Sequence, residues 1–133
     1  MSSLTTAAFF GATFLAMLVL HRLLGPLLRR RDGQELLGEN RATILAEAGV
    51  ILALALVSAG VVKNCVHSEE VATNAIWCAG FAALGFVLIE VTGLIGTSLL
   101  LHRRLRASIA RGNEAAGLAA ALHYAATGII TAK

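Results

Sequence analysis

Long stretches without charge constrain the fold of this chain more than any other feature. From Val71 to Leu101 there is a single charged side chain, Glu90, and three other runs are nearly as apolar. Hydrophobic residues make up 57% of the 133 residues and charged residues 14%, against roughly 45–50% and 25% in soluble domains. Since about 20 apolar residues in a helix span a bilayer, the sequence predicts a membrane protein.

The four apolar stretches predict four transmembrane helices, over about 4–24, 42–62, 76–100 and 114–132. The expected fold is all-α and polytopic, with a single transmembrane domain over residues 1–133. A β-barrel is disfavoured because its strands would alternate apolar and polar residues, and no such alternation occurs. We expect Gly25-Pro26 to end the first helix, because proline lacks the N–H that a helix needs.

Basic residues predict how these helices are oriented. Except for Lys63 and Lys133, the 11 Lys and Arg residues lie in or beside two predicted loops, 25–41 and 102–113. Because cytoplasmic loops are enriched in Lys and Arg, both loops should face the cytoplasm and both termini the outside. We expect the loops to attract anionic lipid rather than nucleic acid. Their basic side chains are Arg29, Arg30, Arg31, Arg103, Arg104 and Arg106.

The chain also repeats part of its pattern. Gly38-Glu39-Asn40-Arg41-Ala42 precedes the second helix, and Arg111-Gly112-Asn113-Glu114-Ala115 precedes the fourth. Each half then consists of one inward and one returning helix, so the two halves form tandem hairpins in a parallel repeat.

Asn40 and Asn113 are the predicted N-caps of the second and fourth helices, because asparagine accepts hydrogen bonds from free backbone N–H groups there. An additional role is capture of a lipid phosphate. A helix N-terminus attracts anions, and Arg41 and Arg111 lie beside the two caps. The capping and lipid-binding hypotheses are compatible.

Glu47, Glu90 and His123 are ionisable residues inside predicted spans. A charge at mid-span costs about 2.5–3.5 kcal/mol or more, so each is a candidate functional residue. Glu90 and His123 fall at similar depths on faces of small residues, which pack helices in lipid. In one interpretation Glu90 bonds His123 or Tyr124 and holds helices together. In the other, Glu47, Glu90 and His123 form a proton or cation path.

Three further residues have simpler interpretations. His21 lies beside Arg22 near the predicted end of the first helix, where we expect it to contact lipid headgroups. Cys65 and Cys78 are expected to be small buried thiols, with a disulfide as the alternative.

Several short motifs together resemble the domain of unknown function 350 family of small four-span bacterial inner-membrane proteins. The matching residues are Gly112, Asn113, Ala115 and Ala116; Gly38, Asn40 and Ala42; Trp77; and the terminal Ala126-Thr127-Gly128-Ile129. The resemblance runs from about Gly38 to the end. Glu39, which separates Gly38 from Asn40, and Glu47 depart from the family pattern.

The resemblance implies a bacterial inner membrane and no agreed activity or catalytic residues. Family members often accompany ATP-grasp ligases and phage-shock-type membrane-remodelling proteins, which implies an envelope or stress context. The sequence holds no nucleophilic triad, phosphate loop or metal-ligand set, so we expect neither enzyme activity nor a metal or other cofactor. We expect a homo-oligomer that organises anionic lipid or recruits a cytoplasmic or membrane protein. A proton or cation channel is the alternative.

Overall fold

The computed structural model describes residues 3–30, 40–67, 70–96 and 104–133, without the side chains of 25–30, 94 and 104. These ranges contain α1 (Ser3–Arg30), α2 (Arg41–Cys65), α3 (Val71–Ile95), a short α4 (Arg104–Ala110) and α5 (Glu114–Thr131). No strand occurs within them, so the predicted all-helical fold is confirmed for the described residues.

Within the described residues, three helical segments are long and apolar enough to cross a membrane: Ser3–Leu24, Arg41–Cys65 and Val71–Gly93. Their outward faces carry large apolar side chains, such as Leu4 and Ile76, which are 79% and 71% exposed. Such a surface is unfavourable in water and suits lipid. The three apolar helices therefore indicate a membrane protein. The fourth predicted span coincides with α5, which has 18 residues, or about 27 Å at 1.5 Å per residue.

The first helix does not end at Gly25-Pro26, as the sequence predicts, but continues to Arg30. Proline fixes φ near −65°, which fits a helix. It loses the hydrogen bond of its own N–H and its ring crowds the carbonyl four residues before it, but here both effects fall in the last turns of the helix. One missing bond near the last turns is therefore compatible with a continuous helix.

The closest helix pair is α2 and α5, whose backbones meet at small residues. A side chain at Gly49 would overlap Ala121, and one at Gly117 would overlap Ala42. Toward the C-terminal ends of both helices, Gly128 packs against Ala53 and Gly60 packs against Ala132. Residue numbers rise together along both helices, so α2 and α5 run parallel over nearly their whole length.

The remaining helices pack around α2, which contributes Leu54 and Val57 to the apolar core. Met17 of α1 and Ile89 of α3 are the largest fully buried side chains from those helices, and both are at most 1% exposed. The Ser58 hydroxyl donates to Met17 Sδ over 3.4 Å, which links α2 to α1 inside this core. A second, smaller apolar cluster joins α4 to α2 and α5 through Ile109, Ala42 and Ala120.

We predict that Gly49→Ala destabilises the protein by about 1–3 kcal/mol, because the added methyl group overlaps the Ala121 backbone. The measurement is thermal or denaturant unfolding in detergent. Gly11→Ala is the matched control, because Gly11 is also helical and has open space around it. Equal effects of the two substitutions would contradict the packing described for α2 and α5.

Candidate functional site

Asn40 joins α2 and α4 at one end of the bundle. Its side-chain oxygen accepts a hydrogen bond from the Thr43 backbone N–H over 2.9 Å, so it caps α2 as predicted. Its amide nitrogen donates to the carbonyl oxygens of Ile109 and Ala110, at 3.1 and 3.3 Å. Those are the last carbonyls of α4. The same side chain thus satisfies free groups at the start of one helix and at the end of another.

Asn113 has a matching double role between α4 and α5. Gly112 has a φ of 83°, a left-handed conformation that glycine adopts without strain. Its N–H donates to Ile109 O over 2.9 Å, and the N–H of Asn113 donates to Ser108 O over 3.0 Å, which is a Schellman ending of α4. The Asn113 side chain then accepts from Ala116 N over 3.2 Å and caps α5 as predicted.

These contacts define an asparagine junction, formed by Asn40, Asn113 and the end of α4. Because α2 and α5 are parallel, their N-termini lie at the same end of the bundle. Arg41 Nη1 is 3.8 Å from Glu114 Oε1 across the two N-termini, with both side chains exposed. An exposed pair like this contributes about 0–1 kcal/mol. The Arg111 Nε–H donates to the Ala107 carbonyl over 3.2 Å, which fixes its stem against α4.

Inside the bundle, Glu90 pairs with a histidine, but not the predicted one. His21 Nδ1 of α1 lies 2.6 Å from Glu90 Oε1 of α3. The His21 side chain is buried and the Glu90 side chain is nearly so, at 4% and 12% exposure. The prediction that His21 contacts headgroups is wrong, because α1 continues past it and turns it inward. A short hydrogen bond between a carboxyl and an imidazole satisfies both groups without water.

His123, the predicted partner of Glu90, instead contacts the α3 backbone. Its Nε2 lies 3.1 Å from the Thr92 carbonyl oxygen, and because a carbonyl only accepts, Nε2 is the donor. Its ring has room because residue 96 is glycine, where any side chain would overlap it. Gly93 makes the same room for Tyr124. His123 therefore fastens α5 to α3 through a backbone contact.

The third predicted residue, Glu47, has a partner on α1. Glu47 Oε2 lies 3.6 Å from Arg22 Nη2, and the Arg22 side chain is 65% exposed. Glu47, Glu90 and His123 thus contact Arg22, His21 and Thr92 respectively, and the structure does not pair Glu90 with His123. All three contacts join different helices at the half of the bundle nearer the asparagine junction.

Sequence analysis misses His21, although a signal for it exists. Thr13, Met17 and His21 are spaced four residues apart, so they share one face of α1, and all three are buried. A threonine and a histidine aligned with a core methionine indicate a polar contact face rather than a headgroup position. The basic side chains of the two loops lie largely outside the described residues: Arg29, Arg30, Arg31, Arg103 and Arg104.

In the described part of the chain, no group of three or more His, Cys, Asp or Glu side chains lies close enough together to hold a metal ion. The described geometry offers hydrogen-bonded polar contacts between helices and an apolar exterior. Together these define a helical membrane protein with polar contacts inside its bundle.

Comparison with known proteins identifies the family to which the chain belongs. The model of the domain of unknown function family DUF350 matches residues 1–133, so the chain belongs to that family over its whole length. No curated protein and no solved structure matches the chain. The structure gives physical reasons for the motifs that carry the resemblance. Gly112 and Asn113 end one helix and begin the next, and Gly128 lets α5 approach α2.

We predict that His21→Ala lowers the free energy of unfolding by about 1–3 kcal/mol, because it leaves the Glu90 carboxyl buried without its partner. A double-mutant cycle with Glu90→Gln in detergent measures the coupling between the two side chains. The His123→Ala/Glu90→Gln cycle is the control, since these residues have separate partners. Coupling in the control but not with His21 would contradict the pairing.

Proposed function

We propose that the protein is a non-catalytic four-span module of the bacterial inner membrane that gathers anionic lipid at its basic cytoplasmic end. The supporting observation is the asparagine junction. It sets the N-termini of α2 and α5 side by side, at the end where the basic loops connect. Each cap uses one backbone N–H, Thr43 or Ala116, and a helix N-terminus has about four such free donors. The remaining donors and the arginines favour phosphate.

Four spans are supported by the length over which α5 follows α2. Their contacts extend from Ala42 against Gly117 to Gly60 against Ala132. A helix that matches an apolar spanning helix so closely is best placed across the same bilayer. The parallel pairing is also what two tandem hairpins with one orientation require, because α2 and α5 are then equivalent.

The basic residues orient the module with the asparagine junction in the cytoplasm and both termini outside. Assembly with further copies is part of the proposal. Exposed small residues on α3 allow close approach of another helix: Ala72, Ala75, Ala79, Gly80 and Ala83. In this interpretation the organised lipid, or a protein drawn to it, connects the module to an envelope or stress context.

A proton path is the second candidate function, and one observation favours it. His21 and Glu90 form a hydrogen-bonded imidazole–carboxyl pair within apolar surroundings, and ionisable residues of this kind mark proton relays in membrane proteins. The path would run through His21 and Glu90 rather than directly between Glu90 and His123. Glu47 and His123 lie on neighbouring helices of the same half.

We predict that a cysteine introduced as Lys133→Cys, in a Cys65→Ser/Cys78→Ser background, is labelled by impermeant maleimide from outside intact cells. Ala110→Cys, at the end of α4, should be labelled only after the membrane is opened. Four spans place these positions on opposite sides. Labelling of both from the same side would contradict the fourth span and the proposed topology.

The two functions predict opposite effects of two sets of variants. For the lipid module, changing Arg29, Arg30 and Arg31 to Gln weakens phosphatidylglycerol binding about 100-fold, at about 1 kcal/mol per residue, while Lys63→Gln and Glu90→Gln leave it unchanged. Native mass spectrometry of lipid titrations measures this binding. For the proton path, Glu90→Gln abolishes proton flux into liposomes and the arginine changes do not. Unchanged lipid binding in the triple variant would refute the leading proposal.

A further inference from the structure

The end of the bundle opposite the asparagine junction holds two cysteines in contact. Cys65 is the last residue of α2, and Cys78 lies in the second turn of α3. Both are free thiols, and the two side chains interact with each other. Cys78 belongs to the apolar core, 4% exposed, and Cys65 packs against that core. Cys65 and Cys78 thus place two thiols at one contact between neighbouring antiparallel helices.

One of the two thiols is accessible. Cys65 is half-buried and lines an open cleft of about 290 Å³ between the end of α2 and the start of α3, together with His67, Trp77 and Phe81. Cys78 does not line the cleft and is buried in the core. This asymmetry of one reachable and one sheltered thiol is the arrangement of an attacking and a resolving cysteine.

We propose that Cys65 and Cys78 are a redox-active dithiol that becomes a disulfide by exchange with a low-molecular-weight disulfide entering the cleft. The Cys65 thiolate attacks one sulfur of that disulfide, forms a mixed disulfide and releases the first external thiol. The Cys78 thiolate then attacks the Cys65 sulfur and releases the second. The pair loses two electrons, the external disulfide gains them, and the two cysteine protons pass to the released thiols.

The bond would join the end of α2 to the second turn of α3 across residues 66–77, which include the short connection between the helices. Closing this loop restricts the unfolded chain and stabilises the α2–α3 hairpin. In the proposed topology this end faces outside, where disulfides persist. The chemistry itself depends only on the contact between the thiols, so it is independent of the lipid and proton hypotheses.

The test uses the full chain in detergent, with oxidised glutathione as the probe and alkylation followed by intact-mass measurement as the readout. Wild type should lose two hydrogens, block alkylation at both cysteines and regain both thiols on reduction. Cys78→Ser should stop at a glutathione adduct on Cys65. Cys65→Ser should leave Cys78 unmodified over the same time, since it is sheltered from the cleft.

Two further readouts separate bond formation from misfolding of a variant. The fluorescence of Trp77, the only tryptophan of the chain, should change on oxidation of wild type but not of the Cys65→Ser/Cys78→Ser variant. The Tm of wild type should be higher in the oxidised than in the reduced form. A stable wild-type adduct on Cys65 with Cys78 still free, or disulfides formed only between molecules, would overturn the proposal.

Discussion

The close parallel approach of α2 and α5 is the contact on which the rest of the structure depends. Lipid tails are as apolar as leucine, so helices in a membrane gain little from burying apolar surface and associate through tight packing. Glycines at the contact points have no side chain to keep the two backbones apart: Gly49, Gly60, Gly117 and Gly128. Because the pair is parallel, both asparagine caps meet α4 at one end. The other helices then pack around α2.

Polar contacts fix how those other helices are rotated. A carboxyl or imidazole inside a bilayer is costly without a partner, so each one restricts the helix that supplies the partner. Glu90 turns one face of α1 inward through His21, and His123 holds α5 against the α3 backbone. Apolar packing alone would leave many rotations of similar free energy. The same contacts that specify the bundle also place exchangeable protons inside it, which is why the structural and proton-path hypotheses involve the same residues.

The two ends of the bundle have different chemistry. The asparagine junction is polar and capped, Arg41 and Arg111 lie beside its two caps, and we propose that it attracts an anionic partner. The opposite end holds a cleft lined by Trp77 and Phe81, with a pair of thiols at its wall. In these proposals, the module has a basic end that binds lipid and an opposite end that bears two thiols. It would connect the redox state on one side of a membrane to the lipid or protein gathered on the other. That connection is part of the proposals made above.

The sequence by itself determined the helical character, the membrane character and both caps, because these follow from local patterns. Uncharged runs define apolar helices, and an asparagine before a helix caps it without long-range help, as Asn40 and Asn113 do. Proline was a weaker signal, since Pro26 costs one hydrogen bond and the helix continues. Only the tertiary structure decided that Glu90 pairs with His21 and that the Cys65 and Cys78 thiols touch. Partners 69 residues apart in the chain depend on how whole helices rotate and pack, which no local pattern specifies.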